Sequence, residues 1–124
     1  MKVEAVDFVS VPTRDIERAT GWYRDVLGLR ESDVTDGELE AANVTLSFWE
    51  PEREQLPFVP NHAGIALRVA DVAGARAELE ARGVEFIAET WDSGVCHFAA
   101  FRDPDGNTLI LHRRYAPRTP RRPS

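Results

Sequence analysis

Two stretches of the chain repeat one order of apolar and polar positions. "FVSVPTRDIERATGWYRDVLGL" in the first half and "GIALRVADVAGARAELEARGV" in the second both open on an apolar, strand-like run. Both then pass through Asp-(Ile/Val)-x-x-Ala into a segment that stops at glycine. Ile16, Ala19, Tyr23, Val26 and Leu27 fall on one face of a 3.6-residue helix, and Val72, Ala75 and Leu79 do the same in the second copy. Asp15 (or Thr13) and Asp71 suit the caps, because a side-chain oxygen there accepts from backbone N–H groups that lack an intrahelical partner. Gly28 and Gly83 suit the left-handed position just past a helix end.

Short β-like runs surround the two helices. They are read at 3–11, 29–35, 38–43 and 44–50, and again at 62–69, 84–90, 95–101 and 108–114. The segment "PEREQLPFVPN" (51–61), with its three prolines, separates the halves. Each half is therefore β-α-β-β-β, module 1 over about 3–50 and module 2 over about 62–114. One such unit alone has a small core and open sheet edges. The predicted fold is α+β: a single domain over 1–115, made of two tandem βαβββ modules whose curved mixed sheets enclose a cleft.

Composition narrows the function classes. At 124 residues, 43% hydrophobic and 29% charged, the chain reads as one soluble globular domain. No apolar run approaches the ~20 residues of a membrane span and no signal-peptide pattern opens the chain, so a cytoplasmic protein with no membrane partner is expected. A single cysteine, Cys96, suits a reducing compartment and reads as a small buried hydrophobe. The net charge is −6 although the chain ends in "RRYAPRTPRRPS". Residues 116–124 read as a disordered, basic, proline-rich tail. The acidic body argues against a nucleic-acid partner and toward a cationic small molecule.

The sharpest turn signal is "FRDPDGNTLILHRR". In Asp103-Pro104-Asp105-Gly106, proline presets φ, aspartates bond back to nearby backbone, and glycine accepts a positive φ. The strand after it, Thr108 to Leu111, carries no acid or base. "DIERATGWYRDVLGL" together with "RDPDGNTLIL" resembles the vicinal oxygen chelate superfamily, which includes glyoxalase I, extradiol dioxygenases, and fosfomycin- and bleomycin-resistance proteins. The resemblance covers about 3–114. It implies a cleft in which the metalloenzymes hold one divalent metal through His or Glu on the first and last strands of each module. At the matching positions this chain has Phe8, Ser47, Gly64 and Ile110, which do not make a ligand set. The expected state is metal-free, with no cofactor. Displaced ligands are the alternative: His62 and His112 lie two residues from Gly64 and Ile110, and His97 is on the strand before the turn.

The ligand-binding residues that follow are Phe8, Ser10, Ser47, Trp49, Gly64, Ala66 and Ile110 on inward strand faces. Trp91 joins them at the mouth and His97 on its strand. Phe8 and Trp49 offer flat surfaces for stacking, and a cation over Trp gains ~0.5–2 kcal/mol. No nucleophile motif or phosphate loop is present, so no catalytic residue is assigned. The reading is a metal-free binding protein resembling bleomycin-resistance proteins, which sequesters a flat, cationic small molecule and so confers antibiotic resistance. The alternative is a glyoxalase- or dioxygenase-like lyase or oxidoreductase using a relocated divalent metal or a histidine base, His97 or His62. A homodimer is expected, two-fold pairs being the commonest symmetric assembly.

Overall fold

Helical spacing and strand alternation produce one βαβββ order twice. The computed structural model describes residues 1–117. Its elements are β1 (Phe8–Pro12), α1 (Ile16–Asp25), β2 (Arg30–Glu31), β3 (Glu38–Glu40), β4 (Thr45–Trp49), a 3-10 turn (Pro51–Glu54), β5 (Ile65–Arg68), α2 (Val72–Ala81), β6 (Trp91–Asp92), β7 (Cys96–Arg102) and β8 (Thr108–Arg114). The strands form two four-stranded mixed sheets, ordered β1-β4-β3-β2 and β5-β8-β7-β6. In each sheet the strand before the helix pairs parallel with the last strand, and the other pairs are antiparallel. Among the described residues no helix is long and apolar enough to cross a membrane.

The chain divides into two compact units. Among the described residues the first is Met1–His62 together with the turn Asp103–Asn107; the second is Ala63–Arg102 with 108–117. In the first, Ala19 and Tyr23 of α1 are buried with Val11, Leu39, Leu46 and Phe48 from one face of the sheet. In the second, Val72 and Leu79 of α2 are buried with Ala99, Phe101, Leu109 and Leu111. The alternation in β4 is clean, Leu46 and Phe48 buried between Thr45, Ser47 and Trp49, as expected for a strand with one covered face.

Both helices start at the expected aspartates, but the two caps differ. Asp15 accepts the Arg18 N–H at 3.0 Å, whereas Asp71 makes no side-chain cap bond. Gly28 and Gly83 follow the helices at φ 74° and 87°, the left-handed region read for them.

Two strand expectations are corrected. The first strand begins at Phe8 rather than at residue 3, because its partner β4 begins only at Thr45 and residues 3–7 have nothing to pair with. No strand spans 84–90: Phe86 makes one isolated bridge to Phe101. The edge strand is instead the two residues Trp91–Asp92. At residue 116, where the tail is expected to begin, the Ala116 N–H bonds to the Val95 carbonyl at 3.2 Å. The rest of that expectation, 118–124, lies outside the described residues.

Candidate functional site

The Asp-Pro-Asp-Gly-Asn turn carries a dense polar network, and the network is structural. Asp103 is 5% exposed and Asn107 2%. Asp103 accepts the Tyr23 hydroxyl at 2.6 Å, the Asn107 side-chain amide at 2.9 Å, and the backbone N–H groups of Asp105 and Asn107, both at 2.9 Å. Asp105 accepts the Thr13 hydroxyl at 2.6 Å, the Arg14 N–H at 3.2 Å and Arg18 Nη2 at 2.6 Å. The Asn107 amide also donates to the Pro12 carbonyl at 2.8 Å, and its oxygen accepts the Asn61 N–H at 2.8 Å. Every polar side chain of the turn is thus committed to β1, α1 and their junction, to Asn61, or to the turn itself. Burial and the adjacent Asp103 hold the Tyr23 phenol well above its ordinary value, so it stays a donor. The motif fastens the first unit and delivers no reactive group.

Sheet register decides which expected binding residues belong together, since residues opposite each other across a ladder share a face. On the first sheet Phe8, Ser10, Ser47 and Trp49 share one face with Glu38 and Glu40. Glu40 is engaged by the Thr45 hydroxyl at 2.9 Å. This is the face away from α1; Phe8 is 53% exposed and Trp49 37%.

On the second sheet Ala66 and Ile110 share the corresponding face, away from the buried Leu109 and Leu111. Trp91 lies on that face as well, opposite Phe98, and is 57% exposed. It is the first residue of β6. Gly64 precedes β5, and a Cβ there would sit 3.0 Å from Ile110 Cδ1, so it leaves room for Ile110 and presents no group of its own.

His97 is the correction to the set. It pairs with Arg113 and lies on the face of Ala99 and Phe101, opposite that of Ile110. There it approaches Asp92 at 3.2 Å and packs against Tyr115, ring centroids 4.6 Å apart. Asp92 also accepts the Gly94 N–H at 2.8 Å and the Tyr115 hydroxyl at 2.8 Å. These bonds lower the Asp92 carboxyl and raise the Tyr115 phenol. Phe98, Ala100, Arg68 and His112 occupy the Ile110 face; of these only His112 was singled out from the sequence, as a displaced metal ligand.

The donor set does not fit a divalent metal. Phenyl, glycine and isoleucine side chains cannot ligate one, and the Ser47 hydroxyl alone is a poor ligand. Among the described residues no group of three or more His, Cys, Asp or Glu comes together in a way that could hold an ion. His62 lies outside β5, so strand alternation does not align it with Gly64. An open depression of about 470 Å³ in the first unit is lined by Asp15, Glu17, Glu31, Asp36, Glu38 and Glu50. None of the expected binding residues lines it, and Glu50 is paired with Arg53 at 2.8 Å.

Comparison with known proteins agrees with this architecture. The model of the Glyoxalase/Bleomycin resistance protein/Dioxygenase superfamily matches residues 5–111, and the chain belongs to that superfamily. A superfamily member from Sphaerobacter thermophilus DSM 20745 superposes with a TM-score of 0.74 at 22% identity, over 89% of this chain and 97% of that one. TnmS3, an antibiotic binding protein from Streptomyces sp. CB03234, gives 0.71 at 27% identity, over 92% and 98%. Lactoylglutathione lyase from Agrobacterium tumefaciens gives 0.71 at 18%, over 90% and 95%. No curated protein matches the chain.

Proposed function

We propose that this superfamily member is a metal-free binding protein that takes up a flat small molecule against its uncovered sheet faces. One observation carries the reading. Where each sheet has no helix of its own unit over it, Phe8, Trp49 and Trp91 stand exposed, while the positions its metalloenzyme relatives fill with ligands hold Phe8, Ser47, Gly64 and Ile110. Stacked aromatic pairs gain ~0.5–1.5 kcal/mol beyond the area they bury. The likeness to an antibiotic binding protein supports the same role, and resistance by sequestration is its physiological form. Each open face is a contact surface by itself: Phe8, Ser10, Ser47 and Trp49 on the first sheet, and Ala66, Trp91 and Ile110 on the second. The cationic preference has support only from Glu38 and Glu40 on the first face. A homodimer belongs to the proposal, to be checked by sedimentation equilibrium against the 13.9 kDa chain.

The test is a tryptophan-fluorescence and thermal-shift screen with planar aromatic compounds. Saturable quenching that is weakened in Trp49→Phe or Trp91→Phe is the expected result. Quenching that rises linearly with every compound would sink the reading. The lyase alternative has its own observation, the orientation of His97 by Asp92. Lactoylglutathione lyase turnover lost in His97→Ala and kept in Trp91→Phe would replace binding with catalysis.

A further inference from the structure

Across the second sheet the register aligns a guanidinium, an imidazole, a phenyl ring and an indole. Arg68 of β5 stands opposite His112 of β8. His112 stands opposite Phe98 of β7, and Phe98 opposite Trp91 of β6. With strands about 4.8 Å apart, the row is about 14 Å long. Trp91 and Phe98 meet edge to face with centroids 5.1 Å apart. Beside them run Ala66, Ile110 and Ala100, also opposite one another, and two of these three are small enough to leave a shelf.

The charge on this face has one sign. The strand residues that share it are Ala66, Arg68, Trp91, Cys96, Phe98, Ala100, Arg102, Thr108, Ile110, His112 and Arg114, and none is a carboxylate. Arg68, Arg102, Arg114 and the His112 side chain have no hydrogen-bond or ion-pair partner among the described residues. The whole-chain charge of −6 hides this. Among the described residues the first unit holds fifteen Asp and Glu against six Lys and Arg, whereas in the second six arginines balance six Asp and Glu. A bound ligand responds to charges within a Debye length, about 8 Å at physiological salt, rather than to the chain's total.

We propose that this row binds a planar aromatic anion. Its rings lie on Trp91 and Phe98 over the Ala66–Ile110–Ala100 shelf, and its carboxylate or other oxyanion is held by Arg68 and His112. Arginine presents a planar fork that matches two oxygens at once, and imidazole adds a third donor. The inference rests on the binding reading and supplies the ligand class it lacked, with charge opposite to that expected from composition.

The test uses three probes that share a ring and differ in charge: 2-naphthoate, 2-naphthylmethanol and 2-naphthylmethylammonium. Each is titrated to millimolar concentration into the full chain while backbone amide shifts are followed. Naphthoate is expected to bind about tenfold tighter than the other two, shifting amides at 66–68, 91, 98 and 110–112. Arg68→Ala or His112→Ala is expected to erase that preference, bringing naphthoate down to the affinity of naphthylmethanol for the same variant; Arg68→Gln, which keeps the stem on β5, serves if the alanine variant disturbs the strand. Trp91→Ala is expected to weaken all three. Equal binding of the three probes that still depends on Trp91, or tighter binding of the ammonium, overturns the anion inference and leaves the binding reading standing. No shift with any probe overturns both.

Discussion

Asp103 has four donors aimed at it and no cation within its own bonds. Its removal leaves those donors buried, and each such donor costs ~1–3 kcal/mol. Asp103→Ala is therefore expected to lower stability by about 3 kcal/mol or more, and Tyr23→Phe by about 1.5–3 kcal/mol for one charge-assisted bond; urea midpoints measure both. Tyr23 also makes stability depend on pH. Its phenol is raised in the folded protein, first by burial and then by Asp103, so the native state keeps a proton that the unfolded chain releases near pH 10. The contribution is fully present below that pH and is lost above it, at about 1.4 kcal/mol per pH unit for one proton. Tyr115, exposed and raised through Asp92, adds to the slope in the same direction. Tyr23→Phe is expected to flatten the alkaline limb, leaving the Tyr115 part. An unchanged slope above pH 10 would mean that the phenol ionises in place. The turn's sharpness was legible from its proline and glycine; its three buried side chains were not, because their partners Pro12, Thr13, Arg18 and Tyr23 lie far away in sequence.

At the scale of elements, the two helices were legible because several signals coincided: a capping aspartate, 3.6-residue spacing and a glycine stop. What spacing could not show is whether the cap bond forms. Asp15→Ala is expected to cost about 1 kcal/mol, since Asp15 holds the Arg18 N–H. Asp71→Ala is expected to cost clearly less. In α2 the Asp71 carboxylate oxygen lies 2.7 Å from where a Cβ on Gly74 would be, and with no cap bond to break it can swing away. Gly74→Ala is thus expected to raise stability by about 0.5–1 kcal/mol through helix propensity. Gly83→Ala, at φ 87°, is expected to lower it by about 1–2 kcal/mol. Thermal midpoints of the four variants separate these effects, and a loss in Gly74→Ala would show that Asp71 is held in place. The strands were less legible for two physical reasons. A strand extends only as far as its partner, which removed 3–7 and moved 84–90 to Trp91–Asp92. Its facing is also readable only where polar and apolar positions alternate. Phe98-Ala99-Ala100-Phe101 is apolar throughout, so nothing in the sequence said that His97 would fall on the helix side and Phe98 on the open one.

At the scale of the whole molecule, the repeat and the paired motifs made the superfamily legible, whereas the row Arg68–His112–Phe98–Trp91 exists only once four strands are in register. The sequence has Phe8, Ser47, Gly64 and Ile110 where the resemblance puts metal ligands, and the proposed metal-free state has a consequence for the whole chain. An ion held only by the native state stabilises it by RT ln(1 + [L]/Kd), about 2.7 kcal/mol at a hundredfold excess over Kd. For a domain of this size each kcal/mol moves the thermal midpoint by roughly 4 °C, so an intact site would give a rise of about 10 °C with the right metal. Zn, Ni, Mn and Fe(II) are each expected to leave the midpoint within about 1 °C, a chelator likewise, and desalted protein is expected to retain far less than one equivalent of any of them. Three histidines in the whole chain, with no cluster of three donors among the described residues, are the reason. A large rise with one metal that disappears in His112→Ala would mean that a ligand had moved along β8. The face of Ile110 would then be a metal centre, and the arginines beside it would serve a metal-bound substrate instead of a free aromatic anion.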